Sequence, residues 1–173
     1  MSKSCNPSLL TFEGWIEKLK QTALKQSIQG NPNVHIFGVF DGHGHAGKQC
    51  SNFVKTRLIE ILSNDETLIQ DPVKAYTSAF STTNTELHNN PDIDDSMSGT
   101  STTAIIVPVI NDKLYVANVG DSRTVISVKG NQNRLISQDL SDDQTPYRND
   151  ECERVKHCGA RVLSVDNNNI GLG

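Results

Sequence analysis

An α+β fold, with antiparallel strands packed against a pair of antiparallel helices, is what the sequence predicts. Three observations carry that expectation. Val34 to Phe40 is a short run rich in β-branched and aromatic residues. Two consecutive stretches between Ala46 and Leu87 place apolar residues at helical spacing. After Gly99, β-rich runs alternate with two-residue turn signals.

Taken in order, residues 8–29 read as an amphipathic helix, with Trp15, Ile16, Leu19, Ala23 and Ile28 on one side, stopped by Gly30, Asn31 and Pro32. Val34 to Phe40 suits a strand buried on both faces, and it ends abruptly at Asp41-Gly42-His43-Gly44. From Ala46 to Leu62 the spacing of Phe53, Val54, Leu58, Ile61 and Leu62 predicts a helix. Asp71-Pro72 is a helix start, with Asp as the cap and proline at the first helical position. Val73, Tyr76, Phe80, Thr83 and Leu87 continue that helix on one stripe, and His88 to Ser98 reads as a loop.

Thr102 to Ile110, Lys113 to Val119, Ser122 to Val128 and Arg134 to Ser137 then read as an antiparallel meander. Pro108 cannot donate to a ladder, so it is expected at an edge or a bulge. Asp150 to His157 with Gly159 resembles a short helix with a glycine cap, and Arg161 to Val165 one more strand. No internal repeat is present.

The 173 residues suffice for one sizeable core. A formal charge of -4 argues against nucleic acid as a partner, because phosphate-backbone binding needs a basic face. No window approaches the roughly 18 to 20 apolar residues of a spanning helix. The N-terminal MSKSCNPSLL lacks the apolar centre of a secretory signal. A soluble intracellular protein, cytoplasmic or nuclear and with no membrane partner, is therefore expected. Cys5, Cys50, Cys152 and Cys158 form no Cys-x-x-Cys pair and have no zinc-like spacing, so reduced structural thiols are expected.

Chemistry concentrates at the glycine-rich turn. Asp41 stands at the carboxyl end of a buried strand beside glycines that let other groups approach the backbone. A carboxylate there, with the carbonyl of Gly42, suits hard cations such as Mg²⁺ or Mn²⁺ holding a nucleophilic water; the same residues also make an ordinary Asp-Gly turn. His43 and His45 can act as general acid, metal ligands or solvent-facing turn residues. Asp121, in Gly-Asp-Ser-Arg, can cap its own turn or face a metal, and Arg123 can pair with it or with a phosphate. A zinc hydrolase of the metallo-β-lactamase type would need His-x-His-x-Asp-His, whereas here the aspartate comes first. Cys50, early in the following helix, reads as a buried thiol.

The blocks FGVFDGHGHAG (37–47), SGTSTTAIIV (98–107), LYVANVGDSR (114–123) and the weaker SQDLSDDQTPYRNDECERVKHCGARV (137–162) together resemble the metal-dependent serine/threonine phosphatases of type 2C, in the expected order. The resemblance implies a β-sandwich of two antiparallel sheets flanked by antiparallel helix pairs, here truncated. It implies two Mn²⁺ or Mg²⁺ ions bridged by Asp41 and touched by the carbonyl of Gly42, His43 as the acid that protonates the leaving serine or threonine oxygen, and Asp121 at a further, weaker metal position. Substrates would be phosphoproteins.

The departures bear on activity. Family members carry, before the Asp-Gly-His-Gly strand, a strand with a phosphate-binding arginine and an acidic metal ligand. Residues 1–36 contain no arginine, and their only acids are Glu13 and Glu17. The family's later Asp-Gly and Asp-Asn blocks are also missing. The expected organisation is an N-terminal helical segment, 1–33, in place of the usual first motif strand, followed by the N-terminal part of a phosphatase domain, 34–173. A lone Asp41 cannot hold two divalent ions that each want about six oxygens. An inactive fragment of a longer phosphatase is thus expected, with a natural non-catalytic binding module as the alternative. A truncated sandwich would expose sheet edges that invite self-association.

Overall fold

The structure, a computed structural model, describes residues 23–28, 31, 33–93, 100–130 and 134–163. Its centre is a five-stranded antiparallel sheet. The strands are β1 (Ala23–Ser27), β2 (Val34–Val39), β5 (Ala104–Ile110), and the short β6 (Lys113–Leu114) and β7 (Ala117–Val119), both paired with β5. Two small ladders complete the strands: β3 (Gly42–His43) with β4 (Ser101–Thr102), and β8 (Val125–Lys129) with β9 (Leu135–Asp139). Helices α1 (Gly47–Asn64) and α2 (Pro72–His88) pack together beside the sheet, and a third, α3 (Asn149–His157), is separate and has no buried residue.

One apolar cluster joins these layers. Val34, Ile36 and Phe40, with Ala104, Ile106 and Ile110, meet Val54, Leu58, Ile59 and Leu62 of α1 and Ala75, Tyr76 and Ala79 of α2. Each fully buried side chain of Leu, Ile or Phe size contributes about 1.5–3 kcal/mol, so this cluster dominates the stability. The Arg57 guanidinium forks onto Glu86, tying α1 to α2, with Nη2 donating to Oε1 at 2.8 Å and Nε donating to Oε2. Helix α2 begins as its sequence dictates: the Asp71 carboxylate accepts from the Lys74 N–H at 3.2 Å, and Pro72 fills the first turn. Helix α3 ends in a Schellman motif, with Gly159 at φ +84°, Ala160 N–H donating to Val155 O and Gly159 N–H to Lys156 O.

Several expectations are corrected. The helix predicted over 8–29 gives way at its C-terminal end to strand β1, paired residue for residue with β2 from Ala23↔Val39 to Ser27↔His35. Ala, Leu, Lys and Gln favour helix locally, but pairing along the whole of β2 overrides so weak a preference; β2 itself, expected to be buried on both faces, is buried on one, with Phe37 and Val39 exposed on the other. The rest of that helix lies outside the described residues, and the 1–33 segment is not helical throughout. The chain turns into β2 through Asn31, whose side chain accepts from Asn33 N–H at 2.9 Å.

Pro108 is in a central strand and fully buried, at neither an edge nor a bulge. Its carbonyl accepts from Tyr115 N–H at 2.9 Å, so its missing donor falls on that side of β5, where the partner ladder divides into β6 and β7. The opposite pairing, with Ile36, keeps its register. The meander pairs within β5–β7 and within β8–β9, but no ladder joins β7 to β8. On α2 the buried face is Ala75, Tyr76, Ala79 and Thr83, while Val73 is 67% exposed. Arg161 to Leu163 form no strand, and the last two residues predicted for it lie outside the described ones.

Candidate active site

The chain leaves β2 through Phe40, which is fully buried, and reaches Asp41 at the surface. The register of β2 on β5 continues through Gly42↔Thr102 and His43↔Ser101, so Asp41 faces Thr103 at a local break in one long ladder. Thr103 N–H donates to Asp41 O at 2.8 Å in the ordinary way. The return bond is different: Asp41 N–H donates to the side-chain hydroxyl of Thr103, at 3.4 Å, and Asp41 O also accepts from the Thr102 hydroxyl at 3.1 Å.

Glycine is required just beyond. A Cβ on Gly42 would stand 2.0 Å from Gly47 O, and one on Gly47 would stand 2.6 Å from the Gly42 carbonyl carbon, so the strand end and the first turn of α1 touch backbone to backbone. Gly44 has φ +77°. His43 Nε2 lies 3.7 Å from Asp41 Oδ2, both side chains about half exposed. His45 is exposed, and Cys50, on the first turns of α1, is buried as predicted.

Asp121 is exposed in the turn after β7, one residue past Gly120 at φ +107°. That turn is linked to the Asp41 strand end through Thr103, whose hydroxyl lies 2.7 Å from the Ser122 hydroxyl and whose Cγ2 would be 2.7 Å from a Cβ on Gly120. Gln144 holds the same turn from the other side. Its Oε1 accepts from Gly120 N–H at 3.0 Å, its own N–H donates to Gly120 O at 3.0 Å, and its Nε2 donates to Asn118 O at 3.1 Å. Neither Thr103 nor Gln144 is singled out by the sequence reading, because nothing in a Thr-Thr or an Asp-Gln pair marks a contact made across the fold.

Arg123 pairs with neither Asp121 nor an open surface. It forks onto Asp143, both bonds 2.9 Å, and reaches Asp139 at 3.2 Å. The fork raises the pKa of Arg123 and lowers that of Asp143. Arg123 is thus a tie between the segment entering β8 and the one leaving β9.

Among the described residues no group of three or more His, Cys, Asp or Glu side chains is placed to hold a metal ion. Strand β1 runs where the arginine- and acid-bearing strand was expected, yet its sequence Ala-Leu-Lys-Gln-Ser offers no carboxylate. A pair of hard divalent cations needs about six oxygens each and several negative charges. The donors among the described residues do not by themselves fit a binuclear centre. The described residues likewise include no helix long and apolar enough to cross a membrane.

Comparison with known proteins places these features in context. The family model described as protein phosphatase 2C matches residues 11–170. A relative from Arabidopsis thaliana, Probable protein phosphatase 2C 35, is 67% identical over 143 residues, which is 83% of this chain and 40% of the relative. Another from the same plant, Probable protein phosphatase 2C 69, is 40% identical over 131 residues, 75% of this chain and 34% of the relative. The crystal structure of serine-threonine phosphatase 2C from Toxoplasma gondii superposes with a TM-score of 0.66 at 22% identity, covering 80% of this chain and 49% of that one, a likeness of fold. The chain thus spans less than half the length of these relatives.

Proposed function

Because the chain belongs to the protein phosphatase 2C family, we propose that its residues are part of a Mn²⁺- or Mg²⁺-dependent serine/threonine phosphatase acting on phosphoproteins, and that these residues alone are inactive. The observation that carries the reading is Asp41-Gly42-His43-Gly44 at the end of a central strand, with the Gly120–Asp121 turn tethered to it through Thr103. Asp41, Gly42 and Asp121 are assigned to metal contact and His43 to protonation of the leaving oxygen. The inactivity is inferred from the donor set: among the described residues Asp41, the Gly42 carbonyl and Asp121 leave most of the required ligands to be supplied from elsewhere. We place the protein inside the cell, where phosphoproteins are found.

The alternative of a non-catalytic module drew its support from a helix replacing the first strand. Ala23–Ser27 form a strand at that place, so the helix does not extend over those residues, although the strand brings neither arginine nor carboxylate. The test is manganese-dependent hydrolysis of a phosphothreonine peptide, by the 173-residue chain and by the longest product of its gene. We expect none from the former and turnover from the latter that Asp41→Ala abolishes. Turnover by the short chain, lost in Asp41→Ala, overturns the inactivity; an inert long product, or one no longer than 173 residues, overturns the enzymatic reading.

A further inference from the structure

The chain holds six prolines, and only Pro146 follows a serine or threonine. Thr145-Pro146-Tyr147-Arg148 lies in the irregular stretch between β9 and α3, outside the ladders. It forms a turn with proline at its second position, closed by Arg148 N–H donating to Thr145 O at 3.1 Å. Pro146 is exposed, Tyr147 is 97% exposed, and the Thr145 hydroxyl makes no hydrogen bond to a described residue. The bonds that shape the turn are local, Thr145 N–H to Asp143 O at 3.1 Å being the other, so it opens without unpairing β8 from β9.

A hydroxyl followed by proline and, three residues on, by arginine has the features by which a class of protein kinases chooses its acceptor. Proline presents no N–H, so it suits an apolar pocket that offers no acceptor for one. Arg148 supplies a cation for an acidic group on the kinase. The neighbour of this hydroxyl makes it consequential. Gln144 carries the bonds that hold Gly120 and Asn118, and Arg148 Nη1 donates to Asp143 O at 3.3 Å on the same stretch.

We propose that Thr145 is a phosphorylation site for a proline-directed kinase, and that its phosphate detaches Gln144 from the Gly120–Asp121 turn. In the transfer, Thr145 Oγ1 bonds to the γ-phosphorus of ATP as the bond from that phosphorus to the β,γ-bridging oxygen breaks. ADP leaves, and the hydroxyl proton passes to a carboxylate of the kinase. The phosphate brings a charge of about −1.5 to −2 at pH 7. The Cα atoms of Asp142 and Asp143 lie within about 11 Å of that of Thr145 however the chain runs, so both carboxylates repel it across roughly one Debye length. It also competes with Asp143 O and the Asp150 carboxylate for Arg148. Both effects draw residues 143–145 away from the turn they hold. None of this rests on the phosphatase reading, because the chain is here the substrate of another enzyme.

The test is incubation of the folded 173-residue chain with a proline-directed serine/threonine kinase and Mg²⁺–ATP, read by intact mass and fragment-ion mapping. One added phosphate at Thr145 is expected, absent in Thr145→Ala and in Pro146→Ala. Neither side chain belongs to the core, so circular dichroism should match that of the unaltered chain. Amide exchange in the phosphorylated chain should be about tenfold faster at residues 118–122, the loss of roughly one hydrogen bond, and unchanged in β2. In Gln144→Ala, where the tether is already gone, phosphorylation should leave exchange at 118–122 as it was. No phosphate on the folded chain, or phosphate accepted only after unfolding, overturns the proposal. So does labelling that survives either substitution, exchange at 118–122 that the phosphate leaves unaltered, or an acceleration that persists in Gln144→Ala.

Discussion

At Gly42 and Gly159 the same residue type is needed for different reasons, and the difference can be measured. Gly42 has no room: a Cβ would meet Gly47 O at 2.0 Å, backbone against backbone, and neither side can swing away. We expect Gly42→Ala to cost at least about 2 kcal/mol in urea unfolding, as overpacking in a tight site does. Gly159 has open space around it but φ +84°, so Gly159→Ala should cost only about 1 kcal/mol, the price of a left-handed residue. Equal losses at the two sites would mean that the strand end and α1 are not in backbone contact. Gln144 acts at the same scale. Gln144→Ala removes two side-chain bonds that fix Gly120 and Asn118, and should destabilise by about 1–3 kcal/mol. Because those bonds hold the Asp121 turn, amide exchange at residues 118–122 should accelerate in that variant before exchange in β2 does.

At the level of elements, α2 is started by its cap. Asp71→Ala should lower stability by about 1 kcal/mol, with Asp71→Asn losing little, by thermal or urea unfolding. That helix was legible because its start signal is local: a capping side chain, a proline, then an apolar stripe. The α3 stop at Gly159 was legible for the same reason. Strand β1 was not, because Ala23 to Ser27 favour helix by composition and are made a strand only by pairing with β2, which is no property of the segment itself. Pro108 shows the intermediate case. Its inability to donate was read correctly, but which side of the strand lacked the bond depended on the parity of the β5 register, settled only by pairing with Ile36 and Tyr115. The candidate site divides likewise: the Asp41 turn is written in consecutive residues, whereas Thr103 and Gln144 matter through contacts between distant ones.

Across the whole molecule, carboxylates tied to arginines recur at the junctions between elements. Glu86 holds α2 to α1 through Arg57, and Asp143 holds the segment after β9 to that before β8 through Arg123. Arg148–Asp150 stands at the start of α3, and Arg154–Glu151 is an i,i+3 pair within it. In each pair hydrogen bonding to the arginine pulls the carboxylate pKa below its ordinary value. Groups whose folded pKa is depressed contribute stability that is present above their unfolded pKa and is lost as pH falls through the folded one. The melting temperature should therefore hold from pH 7 to about pH 5 and fall progressively below the ordinary carboxylate range. Exposed pairs are screened by salt and contribute little each, so the slope should rest mainly on the partly buried Arg57–Glu86 fork. Glu86→Gln should accordingly lower the melting temperature at pH 7 and flatten its fall toward pH 3, an effect that 0.5 M salt, at a Debye length of about 4–5 Å, reduces but does not erase. A pH profile identical in Glu86→Gln and the unaltered chain would show that the helix pair is held by its apolar contacts alone.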